Sequence, residues 1–331
     1  MEAKGSAQRS RWQINVALFL ATLVTVFWSG HSMVALYAGA EPETLSLLSG
    51  WVFAVPLMSI WVAHEFGHWL AARLHQVPAS LPYFIPWFAV PPALGTMGAI
   101  INMPERIRSR NALLDIGAAG PLAGLAVAIP VLGLGLSLSQ VEPLQPGMIQ
   151  EGQSLLYATM KWLILGEIAA GHDVLLHPTA YAGWAGLFLT MINLLPWGQL
   201  DGGHIAYALL GDKHHHLAQW VRWALLALFA YNLFIFLPEA LRIGGLDEWL
   251  RAFQNSAFWL VWFAILSGLG QYFGTRHPPV DRGELTPLRR TVAISTFLCF
   301  VVLFMPTPLS QKSVQQQGGA AYAAQLPPTS H

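Results

Sequence analysis

The chain has 331 residues, of which 54% are hydrophobic and only 10% are Asp, Glu, Lys or Arg, with a mean hydropathy of +0.48. Soluble domains carry roughly 25% charged residues, so an ordinary water-soluble domain is excluded and an integral membrane protein is indicated. Seventeen basic residues balance seventeen acidic ones, giving no sign of a nucleic-acid partner, and a single cysteine, Cys299, rules out a disulfide framework and a cysteine-type zinc site.

Taken in chain order, Lys4, Arg9 and Arg11 precede an apolar run from Ile14 to Ala38. A secretory signal begins this way too, and "AGA" at 38–40 could serve as its cleavage site. The run is longer than the apolar core of about 7–15 residues usual in signals, so an uncleaved first span is expected. Further apolar runs extend the expected spans to seven: 14–37, 46–74, 112–136, 181–210, 216–237, 256–274 and 290–308. With the N-terminus in the cytoplasm, Lys161, Arg242, Arg251 and Lys312 alone among the seventeen cations fall outside. That asymmetry fixes the expected orientation. The short basic N-terminus points to a bacterial inner membrane.

Two segments are not ordinary loops. "SLPYFIPWFAVPPALGTMGAIINMPE" (80–105) is apolar but carries Pro82, Pro86, Pro91 and Pro92, which exclude a regular helix. Both ends lie among cytoplasmic cations, so it is expected to dip into the membrane and return, with "GTMGAIINM" as an extended strand; a greasy surface loop is the alternative. Segment 137–180 lies outside and includes "EGQSLLYATMKWLILGEIAAG", which could form a short amphipathic helix on the bilayer surface. The expected fold class is an all-α polytopic membrane protein of about seven transmembrane helices, with a re-entrant, partly β-like loop after the second. Its parts are a cytoplasmic N-terminus (1–13), a transmembrane unit (14–308, core about 46–215) and a disordered external tail (309–331).

The chemistry concentrates in the second span, where "HEFGH" fits H-E-x-x-H. Residues four apart share a helix face, so His64 and His68 can hold one metal ion, with Glu65 beside them to handle the proton of a metal-bound water. Counted back from Arg73 at about 1.5 Å per residue, His68 lies about 8 Å and His64 about 14 Å inside the cytoplasmic edge. Ionisable residues at such depth point to function by default; a self-satisfied His/Glu cluster is the plain alternative. Catalytic zinc usually has three protein ligands. Asp201, the lone acid of "GWAGLFLTMINLLPWGQLDGGHIAYALLG" (183–211), should reach the same depth. Pro196, Gly198, Gly202 and Gly203 would break or kink that helix and let the carboxylate turn.

"HEFGH" together with "NLLPWGQLDGG", which fits N-x-x-P-x-x-x-L-D-G, resembles the site-2 protease family of intramembrane zinc metalloproteases, family M50. The flanking "GTMGAIINMPERIRSRNALLDIGAAGPLAG" and "HPTAYAGWAGLFLTMINLLP" are also similar, as in bacterial and plastid members without a PDZ domain. The likeness covers about residues 50–215. It implies one zinc ion held by His64, His68 and Asp201, Glu65 as catalytic acid/base, and Asn193 near the zinc with its amide steadying the oxyanion. A helix–helix hydrogen bond is the plain reading of Asn193.

The implied reaction is hydrolysis of peptide bonds within or near transmembrane segments, so the partners are a transmembrane helix of a membrane substrate and the lipid bilayer. The unwound substrate is expected to pair with the strand at Gly98, Ala99 and Ile100. A metalloprotease with a glutamate as third ligand finds no candidate, since Glu239 and Glu284 fall in expected loops. A non-proteolytic metal-binding protein or metal transporter would be expected to show several ligands along a path. His204, the "KHHH" at 213–216 and Asp115 are read as a packing histidine, a solvated turn and a helix-start carboxylate. Gly120 and Pro121 of "AAGPLAG" suit close helix packing.

Overall fold

The computed structural model describes residues 3–88, 94–103, 107–144, 148–273, 280–281 and 283–311. The chain is mostly helical: α1 (Ala3–Ala38), α2 (Trp51–Leu74), α3 (Arg110–Ser137), α4 (Leu155–Leu165), α5 (Pro178–Asn193), α6 (Asp201–Leu210), α7 (His214–Ile243), α8 (Leu246–Phe273) and α9 (Pro287–Leu303). Among the described residues, five helical stretches are long and apolar enough to cross a membrane: Trp12–Ala38, Leu47–Leu74, Arg110–Ser137, Asp201–Ile243 and Leu246–Tyr272. The protein is a polytopic helical membrane protein.

The expected fourth span, 181–210, is not one helix. Pro196 has no amide hydrogen to give, and Gly198 adopts φ +53°, a left-handed conformation open to glycine at no steric cost. The backbone therefore leaves the helix after Asn193 and re-enters one at Asp201. Gly202 and Gly203 lie inside α6 rather than at the break. A Cβ at either would run into backbone carbonyls of the 194–198 turn, so their small size lets the turn fold back on α6.

α3 runs between α2 and α5 at close range. Side chains at Gly135 and Gly183 would collide with the backbones at Ala180 and Leu132; small residues at such crossings let helix backbones approach. Polar links set its first turns. The Arg110 guanidinium donates to the carbonyl oxygens of Ala208 and Leu209 at the C-terminal end of α6, where helix carbonyls run out of intrahelical donors. Asp115, expected to serve the helix start, is the sixth residue of α3 and acts across helices instead. Its carboxylate accepts from the Arg289 guanidinium at 2.7 and 2.9 Å and lies 2.7 Å from His75 Nε2. α9 and the end of α2 are thereby fastened to α3.

The strand expected within 95–103 is β2 (Thr96–Ile100), antiparallel to β1 (Tyr83–Pro86) with Tyr83 opposite Ile100 and Phe84 opposite Ala99. Buried polar groups of α1 hold this hairpin. The Asn15 amide donates to the carbonyls of Leu81 and Pro82 at 2.8 and 3.0 Å, and the Thr25 hydroxyl donates to Gly95 O at 2.6 Å. Phe19 meets Phe84 edge-on at 5.2 Å. Non-helical carbonyls away from water need such partners. Pro91, Pro92 and Arg106 lie outside the described residues, as do Arg276 and Arg282.

At the other end of α3, β3 (Gln140–Pro143) pairs with β5 (His172–Leu175), and β4 (Ile149–Glu151) pairs with β6 (Leu309–Gln311). The segment expected to be a disordered tail thus begins as a strand, because β4 offers its backbone groups a partner. Residues 312–331 lie outside the described residues.

Candidate metal centre

His64, Glu65 and His68 lie on one side of α2, 4%, 5% and 8% exposed. His64 Nε2 and His68 Nε2 are 3.2 Å apart. The Asp201 carboxylate, first residue of α6, brings Oδ2 to 3.3 Å from His64 Nε2 and Oδ1 to 3.4 Å from His68 Nε2. The three ligand atoms lie within 4.8 Å of one another. Two imidazole nitrogens and one carboxylate oxygen suit zinc, which takes three such ligands at catalytic sites and leaves a position for water. Glu65 belongs to none of these contacts.

The donors are aimed by groups behind them. His68 Nδ1 lies 2.7 Å from Ile116 O on α3. A carbonyl only accepts, so Nδ1 carries the hydrogen, which leaves Nε2 as the atom able to offer a lone pair to a metal. Gly120 lies under the His68 ring and Gly124 beside His64. Asn193, at the end of α5, places its Nδ2 3.4 Å from His64 Nε2. Trp61, one turn before His64, meets that ring at 6.0 Å and is covered by Gly98 of β2, whose φ is +100°. The hairpin is therefore seated against the helix that carries the histidines. Ala99 follows half-buried, and Ile100 is exposed.

Of the residues singled out in the sequence, His64, His68, Asp201 and Asn193 come together, and Gly98 reaches them through Trp61. His204 packs its Cβ near Gly117 of α3. His214 departs from the expected solvated turn: it is buried, edge-on to Tyr207 at 6.0 Å. Sequence reasoning missed the Ile116 carbonyl, Gly124 and Trp61. The spacing of Gly117, Gly120 and Gly124, one glycine-lined face of α3, was the available signal for a close approach.

That face makes a graded prediction. A methyl at Gly120 would overlap the His68 ring, whereas one at Gly124 would lie 3.2 Å from His64 Nδ1. Overpacking of a tight site costs about 1–3 kcal/mol. Gly120→Ala should displace His68 and bring bound zinc below half an ion per chain by atomic emission, with Gly124→Ala retaining more than Gly120→Ala.

A bundle of apolar helices that buries a histidine pair against a carboxylate from a broken helix defines a polytopic membrane protein with a three-residue group that could hold a metal ion. Residues 52–235 match the sequence model of peptidase family M50, more than half of the 331 residues, and the chain belongs to that family. It is 36% identical over 177 residues to a rice protein (Oryza sativa subsp. indica) named probable zinc metalloprotease EGY2, chloroplastic. It is 34% identical over 184 residues to an Arabidopsis thaliana protein named probable zinc metalloprotease EGY1, chloroplastic. Each alignment covers 52% of this chain and 31% or 33% of the relative, so the chain matches about a third of those proteins' length. No solved structure matches it.

Proposed function

We propose that the protein is an intramembrane zinc metalloprotease that hydrolyses peptide bonds within or near transmembrane segments of membrane proteins. The observation that carries this reading is the convergence of His64, His68 and Asp201, with Glu65 next to the first ligand on the same helix. When bound, zinc supplies a polarised water whose pKa is lowered toward neutrality. Glu65 takes the proton of the attacking water and delivers it to the departing amide nitrogen. Asn193, with its amide beside His64, donates to the oxygen that gains charge. Ile116 O holds the His68 ring in its working tautomer. A metal transporter is disfavoured: among the described residues the His/Cys/Asp/Glu groups able to hold a metal reduce to this one.

The finer topology is part of the same proposal. α5 with α6 forms a broken fourth crossing, and α9, at 17 residues and about 26 Å long, crosses with the help of its flanks. Seven crossings then frame a transmembrane unit over 14–308, with the N-terminus and the centre on the cytoplasmic side where the cations gather. The β1–β2 hairpin is the re-entrant segment.

A transmembrane substrate must unwind before water can attack it, and an unwound backbone in lipid is costly. β2 pairs with β1 alone among the described strands, so its other edge can take an extended chain at Gly98, Ala99 and Ile100. Proline removes one N–H at a time. Scanned singly through 97–101, it should lower cleavage about tenfold or more where the N–H faces the open edge. Unchanged cleavage at all five positions would rule out strand pairing.

The function itself is tested in proteoliposomes with a tagged single-span reporter. Chelation of the metal should abolish cleavage, and one equivalent of zinc should restore it. Cleavage that survives complete metal removal would refute the proposal.

A further inference from the structure

We infer that α4 is a lipid-facing helix sunk beside the end of α3, with its one charged residue, Lys161, turned into the protein and its apolar side turned to the acyl chains of the leaflet away from the metal centre. This inference does not depend on proteolysis.

The first observation is an inverted polarity. α4 is capped by Ser154, whose side chain accepts from Tyr157 N, and it buries Tyr157 and Lys161. Its exposed side carries Leu155 at 65%, Trp162 at 61% and Leu163 at 67%, positions i, i+7 and i+8 of one stripe. Thr159 also lies on this stripe, yet its hydroxyl donates to Leu155 O at 2.7 Å, so its one donor is used within the helix. Lysine is almost never fully buried in water-soluble proteins unless paired. Here the ammonium lies 3.4 Å from Glu151 Oε1, 3.2 Å from Asp173 Oδ1 and 5.2 Å from the Tyr157 ring centre. The Tyr157 hydroxyl donates to Glu151 Oε1 at 2.6 Å. A helix that hides its cation and shows leucine and tryptophan is built for an apolar medium.

The second observation is depth. A side chain at Gly133 would meet Met160 and Ile164 of α4 at 3.6 and 4.0 Å. Gly133 lies four residues before the end of α3 at Ser137, about 6 Å into the helix. Three residues before α4, Gly152 O accepts from the Trp184 indole of α5 at 3.0 Å. Trp184 lies six residues beyond the start of α5 at Pro178, about 9 Å along it. α4 therefore sits below the end of α3 rather than above it, and α3 is a helix long and apolar enough to cross the membrane. Its 11 residues are too few to cross by themselves. The exposed Glu167, two residues past the end of α4 at Leu165, marks its return toward water.

The test uses spin labels on single cysteines in a Cys299→Ser background, in proteoliposomes of the zinc-loaded protein. Labels replace Leu155, Trp162 or Leu163, with Glu167 as the polar control, and each variant must elute as the parent does. Collision rates are measured with dissolved oxygen, which concentrates in the acyl region, and with a water-soluble nickel chelate. The three stripe labels should collide with oxygen several-fold more than with nickel, and the Glu167 label should reverse that order. Nickel collisions on the stripe equal to those at Glu167 would place the face in water and overturn the inference. Low collision with both reagents would mean that protein, such as a second copy, covers it, and would overturn it equally.

Discussion

Glu65→Gln is expected to keep its zinc and lose its activity. Glutamine matches glutamate in shape, and Glu65 is absent from the group of atoms that converge around Asp201, so the metal count should stay near one per chain. What disappears, in the proposed mechanism, is the group that accepts a proton from the attacking water. Proton transfer by a positioned side chain contributes typically about 10²–10⁴-fold, and reporter cleavage should fall by at least that range. At 5% exposure the carboxylate has little bulk water around it to take over the task. Two other outcomes would be informative. Equal cleavage by mutant and wild type would remove Glu65 from the chemistry. Zinc lost together with activity would make Glu65 part of the metal's support rather than its proton carrier.

The residues that make this prediction possible were legible because they violate the pattern around them. Two histidines and two carboxylates in apolar runs are conspicuous, and the helix period puts His64 above His68 without knowledge of the fold. The break before Asp201 was readable from Pro196 and Gly198, and the strand at 96–100 from the prolines around it. The groups that aim the histidines were not readable. A backbone carbonyl such as Ile116 O has no sequence signature; it becomes a hydrogen-bond acceptor for His68 only because α3 passes α2 at glycine distance. Asp115 shows the same limit. Its partners lie 40 and 174 residues away, and a helix-start role is all that neighbouring residues could suggest. The span count differs for a related reason. Hydropathy sums over 181–210 as one run, whereas a single turn divides it into helices of 16 and 10 residues.

Asp201→Ala should have the opposite signature to Glu65→Gln: zinc and activity vanish together while the helices remain. Removing a group that merely orients a ligand costs about 10–100-fold in metal affinity; removing one of three ligands should cost more, leaving His64 and His68 unable to hold zinc against a mild competing chelator. α6 should survive the change. Its start is set by Gly202 and Gly203 against the 194–198 turn, and its far end by Arg110 on the carbonyls of Ala208 and Leu209. Far-ultraviolet circular dichroism should therefore match wild type while atomic emission finds no zinc. Asp201→Asn separates charge from shape: an amide oxygen of the same reach is a weaker ligand, so zinc retention should fall between alanine and wild type. A full complement of zinc in Asp201→Ala would mean that the third ligand comes from elsewhere in the chain, and the hydrolytic reading built on this trio would fall with it.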